Sequence, residues 1–89
     1  MNRLYFKPGQ VVIREGEYST DAYFIESGEV NVLKGNEVVA TLKQNTTFGE
    51  IGCLEHKPRT ATVVALTQLT LRVLNEEDVI KLAGDAPVQ

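Results

Sequence analysis

Short apolar runs broken by turn residues set the pattern of this chain. Val30-Asn31-Val32-Leu33 and Glu37-Val38-Val39-Ala40-Thr41-Leu42 carry many β-branched residues and flank Gly35-Asn36. Both turn residues tolerate positive φ, so the two runs predict a hairpin. Ser27-Gly28 marks an earlier turn between Tyr23-Phe24-Ile25 and Val30, and Pro8-Gly9 marks another near the start. Thr60 to Leu66 and Thr70 to Leu74 predict two later strands, connected around Gln68. Strand alternation sends Phe24 to the face opposite Tyr23 and Ile25. Many short strands at close spacing predict a sandwich or barrel.

Two segments depart from the β pattern. Gly49 to Leu54 is too short for an independent helix, but tertiary packing can hold one turn of it. Asn75 precedes Glu76, Glu77 and Asp78, followed by Val79, Leu82 and Ala83. An N-cap, an acidic first turn and apolar residues at helical spacing predict a helix of about two turns from Glu76. Gly84 and Pro87 supply its stop, and residues 85–89 read as a frayed end.

With 89 residues there is room for one domain with a modest core. No apolar run approaches the ~18 residues of a membrane span. Cys53 is the only cysteine, so no internal disulfide forms, which fits a reducing, cytoplasmic setting. The net charge of −3, with lysines scattered rather than striped, argues against nucleic-acid binding. His56 is the single histidine. A cupin-type metal enzyme needs several, so neither a metal site nor a catalytic residue is expected. His56 reads as a surface residue and Cys53 as buried packing.

The candidate chemistry lies in Phe48-Gly49-Glu50-Ile51-Gly52-Cys53-Leu54 and the following Pro58-Arg59-Thr60-Ala61-Thr62-Val63. A guanidinium clamps phosphate bidentately, and a carboxylate accepts hydrogen bonds from sugar hydroxyls. A one-turn helix presents backbone N–H groups to an anion, and Gly49 and Gly52 let a ligand approach the backbone. Thr60 and Ala61 can add donors from the other side. Without a Walker lysine motif or magnesium ligands, this cradle suits one phosphodiester better than a triphosphate. The plainer alternative is a structural ion pair between Glu50 and Arg59.

This stretch resembles the phosphate-binding cassette of the cyclic-nucleotide-binding domain family, and the resemblance extends over nearly the whole chain. Phe6-Lys7-Pro8-Gly9-Gln10-Val11-Val12 is similar to the family's opening turn and first strand. Arg14-Glu15-Gly16-Glu17 and the run from Asp21 to Val32 are similar to its second and third strands with their glycine turns. The resemblance implies a jelly-roll (double-stranded β-helix) barrel with a one-turn cassette helix and a short C-terminal helix. It implies Glu50 on a ribose 2′-hydroxyl, Arg59 on the phosphate oxygens, and Phe48, Gly49, Ile51, Gly52 and Ala61 around them, largely through the main chain. Thr60 stands where the family often has Ala for cyclic AMP and Thr where cyclic GMP is accepted.

The expected partner is therefore cyclic AMP or cyclic GMP, bound as a ligand and not as a cofactor. An effector domain or protein partner would read the signal. The sequence departs from the family at Asn45-Thr46-Thr47, where a glycine-acid-aromatic run is common. Asn45 can replace the glycine because it tolerates the left-handed region. Residues 1–89 are expected to form a single domain without the family's C-terminal lid helix. The competing expectation is a ligand-silent β-roll used as a protein-interaction domain.

Overall fold

The computed structural model describes residues 2–50 and 55–85. Strands β1 (Arg3–Phe6), β2 (Val11–Ile13), β3 (Ala22–Ser27), β4 (Val30–Lys34), β5 (Glu37–Leu42), β6 (Thr47–Phe48), β7 (Thr62–Ala65) and β8 (Leu69–Leu74) precede helix α1 (Glu76–Asp85). They form two antiparallel sheets, ordered β1-β8-β3-β6 and β2-β7-β4-β5. The class is a mainly β jelly roll as expected, built as two facing sheets.

The core lies between the sheets because alternation points one side chain in two inward. Tyr23 and Ile25 of β3 are buried with Leu69 and Leu71 of β8, against Val30, Val63 and Ala65 of the second sheet. Phe24 points the other way, as its position between two inward residues requires. There it packs on a smaller cluster of Ala22, Leu74 and Val79, which anchors α1 to the outer face of the first sheet.

Turn chemistry fixes the register. Gly28, Gly35 and Asn45 all take positive φ, Asn45 at 71°. Asn45 thus fills the left-handed position expected of it, and its N–H bonds the Ile25 carbonyl. The cap of α1 is also as expected. Asn75 Oδ1 accepts from the Asp78 N–H at 2.8 Å, and Asp78 returns the bond to the Asn75 N–H at 3.1 Å. The helix runs ten residues, so Gly84 lies inside its last turn instead of ending it.

Several boundaries differ from expectation. Arg3–Phe6 is a strand before the Pro8-Gly9 turn, registered against β8. Of the strand and glycine turn expected around Arg14 to Glu17, the strand lies earlier, at Val11–Ile13, and this stretch forms the turn, closed by the Glu17 N–H on the Arg14 carbonyl. Its glycine, with φ of 88°, reverses the chain there. The strand expected from Thr60 begins at Thr62, which leaves Thr60 and Ala61 in the bend before it.

On the outer face of the first sheet, Glu26 accepts from two arginines. Arg3 Nε lies 2.5 Å from Oε1 and Arg72 Nη2 lies 2.6 Å from Oε2. The hydrogen bond from Arg3, then that from Arg72, holds the Glu26 carboxyl below its usual range. A lowered folded-state pKa stabilises the fold above the unfolded value of about 4.3, and this contribution fades as pH falls through the folded value. Glu26→Gln should therefore be less stable than the parent near neutrality. The gap should close as pH drops below about 4.3 in denaturant titrations. A gap that persists unchanged at acid pH would contradict the assignment.

Candidate functional site

Arg59 is the one charged side chain buried among the described residues, 6% exposed. Its backbone is pinned on both sides by the β2–β3 loop. The Gly16 N–H donates to the Arg59 carbonyl at 2.7 Å, and the Arg59 N–H donates to the Glu17 carbonyl at 2.8 Å. The side chain then runs inward. Nη1 donates to the Gly49 carbonyl at 2.7 Å and Nη2 donates to the Asp21 carbonyl. Nε is buried without a hydrogen-bond partner among the described residues.

No ion pair joins Arg59 to a carboxylate among the described residues. The alternative of a structural Glu50–Arg59 pair is thus replaced by carbonyl contacts. Carbonyls orient a guanidinium but carry no compensating charge. A buried cation in that state can take an anion as its counter-charge.

Gly49 is shaped by the same arrangement. Its φ is +84°, and a Cβ there would sit 2.9 Å from Arg59 Nη1. A glycine is needed both for the backbone turn and for the close approach of the arginine. Phe48, buried in β6 and tilted against the Tyr23 ring at 5.5 Å, holds this segment to the core. Burial first, and the Asp21 charge second, push the Tyr23 phenol above its ordinary pKa, while the nearby Arg59 charge opposes the shift.

Arg59 is among the residues that line a cleft of about 340 Å³. Phe48, Gly49, Glu50, Thr60 and Ala61 line it together with Arg59, so six of the eight expected site residues converge. Ile51 and Gly52 lie outside the described residues, as does Cys53. Glu50 is half-buried with helical backbone, and Thr60 is exposed on the rim.

The apolar wall is not legible in the sequence. It comes from Ile13, Val32, Leu42 and Val63, with Lys57 and Pro58 at the edge. Half-buried Val32 and Leu42 belong to the β4–β5 hairpin, and only the folding of that hairpin over the cassette brings them in. The carbonyl of Asp21 is equally silent, because a main-chain acceptor leaves no residue-type signal. His56, at positive φ, places Nε2 3.4 Å from the Glu76 carboxylate at the first turn of α1. Both side chains are exposed, as expected for His56. Among the described residues there is no cluster of metal-ligating side chains. No helix there is long and apolar enough to cross a membrane.

Among the described residues, this jelly roll buries an arginine without a counter-charge beside a largely apolar cleft. Comparison with known proteins makes the class specific. The chain belongs to the cyclic nucleotide-binding domain family, whose model matches residues 3–85. It is 46% identical over 80 residues to a cAMP-dependent protein kinase regulatory subunit of Yarrowia lipolytica, covering 88% of this chain and 21% of that protein. It is 43% identical over 60 residues to a cGMP-dependent protein kinase of Toxoplasma gondii, covering 67% of this chain and 6% of that protein. Among solved structures, PKAR CBD2 bound to Sp-2Cl-cAMPS matches with a TM-score of 0.85 and 28% identity, over 93% of this chain and 57% of that one. The chain thus spans about a fifth of the regulatory subunit it matches.

Proposed function

We propose that this chain binds a cyclic nucleoside monophosphate in the cleft lined by Arg59, and that it acts as a sensor module with no catalysis of its own. The observation that carries the reading is the Arg59 guanidinium, buried, aimed by two carbonyls and without a counter-charge among the described residues. Burying such a cation costs several kcal/mol, roughly, unless an anion compensates it. A phosphodiester supplies one negative charge and acceptors for the guanidinium.

The remaining roles follow the geometry and the family. Glu50 takes the ribose 2′-hydroxyl, away from the phosphate that would repel it. Gly49 and Ala61 offer main chain, and Ile51 and Gly52 are assigned the same part from their place in the cassette. Ile13, Val32, Leu42 and Val63 give the sugar and base an apolar wall. Relatives named for cAMP and for cGMP dependence support both nucleotides. The Thr60 hydroxyl on the rim biases their ratio by about 1 kcal/mol, a few-fold in affinity.

Signalling is assigned to α1. It follows β8 directly and contacts the loop after the cassette through His56 and Glu76. A ligand that binds one placement of this helix better than another shifts the population, and an effector domain or protein partner reads the shift.

Calorimetric titration with cAMP and, separately, cGMP tests the reading. Saturable one-to-one binding is the expected result. Absence of binding of both at millimolar concentration would overturn it in favour of a ligand-silent interaction domain. Glu50→Gln should weaken cAMP by roughly 1–2 kcal/mol, the worth of a charge-assisted hydrogen bond, and should weaken 2′-deoxy-cAMP much less. Equal losses for both ligands would remove the ribose role.

A further inference from the structure

Strand β5 is an anomaly for an exposed sheet edge. It pairs with β4 alone among the described residues, leaving its other side open. Residues 37 to 41 are all exposed, Val38 at 54% and Val39 at 52%, so neither face of the strand is covered over most of its length. Its interior is Val38-Val39-Ala40-Thr41, with no proline and no charge. Open edges are normally guarded by such residues, because the free N–H and C=O groups template another strand. A bulge at Val39, where Val32 faces Ala40 and Leu33 faces Val38, is the guard found inside the stretch.

Charges bracket this apolar stretch with opposite signs, Glu37 before it and Lys43 after it. Lys34 stands across from Glu37 in the hairpin, yet neither Glu37 nor Lys43 forms an ion pair among the described residues. A strand with unlike charges at its two ends is complementary to its own antiparallel copy. Pairing centred on Ala40 sets Glu37 against Lys43 twice, Val38 against Leu42 and Val39 against Thr41. Shifting it by one residue sets Glu37 against Leu42 and leaves the lysines unmatched.

We propose that the open edge of β5 pairs antiparallel with β5 of a second copy of this chain, in the register that places Ala40 opposite Ala40. The contact is isologous, as a two-fold dimer requires, and it joins two sheets into one across the dimer axis. A single short strand buries less than the ~1,200 Å² of a standard interface, so the association is weak and concentration-dependent.

Sedimentation equilibrium across a concentration series tests this. The parent should dimerise in the high-micromolar to millimolar range, as weak interfaces of this size do. Glu37→Lys or Lys43→Glu alone places like charges opposite each other twice and should weaken the dimer roughly ten-fold. The double variant Glu37→Lys/Lys43→Glu should restore it, since the swapped charges again face their opposites. Register is read by crosslinking in a Cys53→Ser background. Ala40→Cys should form a disulfide dimer, because opposing residues lie about 5 Å apart. Val38→Cys should not, its copies being about 13 Å apart along the strands. A monomer at every concentration overturns the proposal, and so does a dimer indifferent to these charges. Capture of another protein's strand on a chain that never self-associates overturns it as well. Failure of the double variant to recover, with crosslinking at Val38 and not at Ala40, overturns the register.

Discussion

Arg59→Ala is expected to lower affinity for cAMP by about 2–5 kcal/mol, the usual loss when one partner of a desolvated charge pair is removed. This corresponds to a fall of roughly thirty-fold to several thousand-fold in affinity. The stability of the free chain should move far less. The variant gives up two hydrogen bonds, to the Gly49 and Asp21 carbonyls, but it also removes a buried cation that lacks a counter-charge among the described residues. These terms oppose each other. Free and ligand-bound melting temperatures of parent and variant separate the two effects. The signature is a nearly unchanged free Tm together with loss of the ligand-induced rise. Arg59→Lys should recover only part of the affinity, because an ammonium keeps the charge but not the bidentate fork. Near-parental affinity in a folded Arg59→Ala chain would sink the phosphate assignment.

Where the sequence is legible, a residue type carries the signal. Gly35-Asn36 with β-branched runs on both sides marks a hairpin, and Asn75 with Asp78 three residues on opens a helix. Arginine and glutamate in a glycine-bearing cassette mark the candidate site by residue type alone. What is illegible depends on main chain or on distant partners. The strand Arg3–Phe6 is mostly exposed and polar-interrupted, and it becomes a strand because β8 offers it an edge. The two-residue strand β6 is too short to show a period. The acceptors that aim Arg59 are carbonyls of Gly49 and Asp21, one ten residues away and one thirty-eight. Val32 and Leu42 read only as hairpin residues until the hairpin folds over the cleft. The site's chemistry is local, whereas its walls and its aim are tertiary.

This division explains the economy of the fold around the cassette. Among the described residues the guanidinium is held by two carbonyls and by backbone bonds to the β2–β3 loop, with no carboxylate paired to it. In the function proposed above, that leaves its charge available to an anion. The same β3 whose preceding residue supplies the Asp21 carbonyl also carries Tyr23 and Ile25 into the core, so the guanidinium is aimed from a strand of the main hydrophobic core. An element whose two functions share one strand should transmit core damage to the site only after the strand itself gives way.

Gly28→Ala supplies that core damage and should be the most destabilising single-methyl change among the glycines the structure describes. Gly28 has φ of +95°, and a Cβ there would run into the Gln68 carbonyl oxygen, with Leu69 Cα and Thr67 Oγ1 each only 3.0 Å away. Two of these atoms are backbone at the entry to β8, where Leu69 is fully buried. The third, Thr67 Oγ1, accepts from the Glu29 N–H at 3.1 Å and donates to the Gln68 carbonyl, so moving it breaks the tie between the two turns. Backbone strain of about 1–3 kcal/mol adds to a similar cost for overpacking. The expected loss is about 2–5 kcal/mol, a large part of the roughly 5–15 kcal/mol available to a small domain. At about 4–8 °C per kcal/mol, the Tm should fall by at least 10 °C or so. Gly35→Ala is the matched control, with φ of +60° and open space around its Cβ, so it carries the strain without the clash. Urea titrations of both variants should place Gly28→Ala well below Gly35→Ala. Equal losses would mean that the turn yields to the methyl. Gly28 does not line the cleft, so the folded fraction of Gly28→Ala should bind cAMP with parental affinity, which distinguishes a damaged fold from a damaged site.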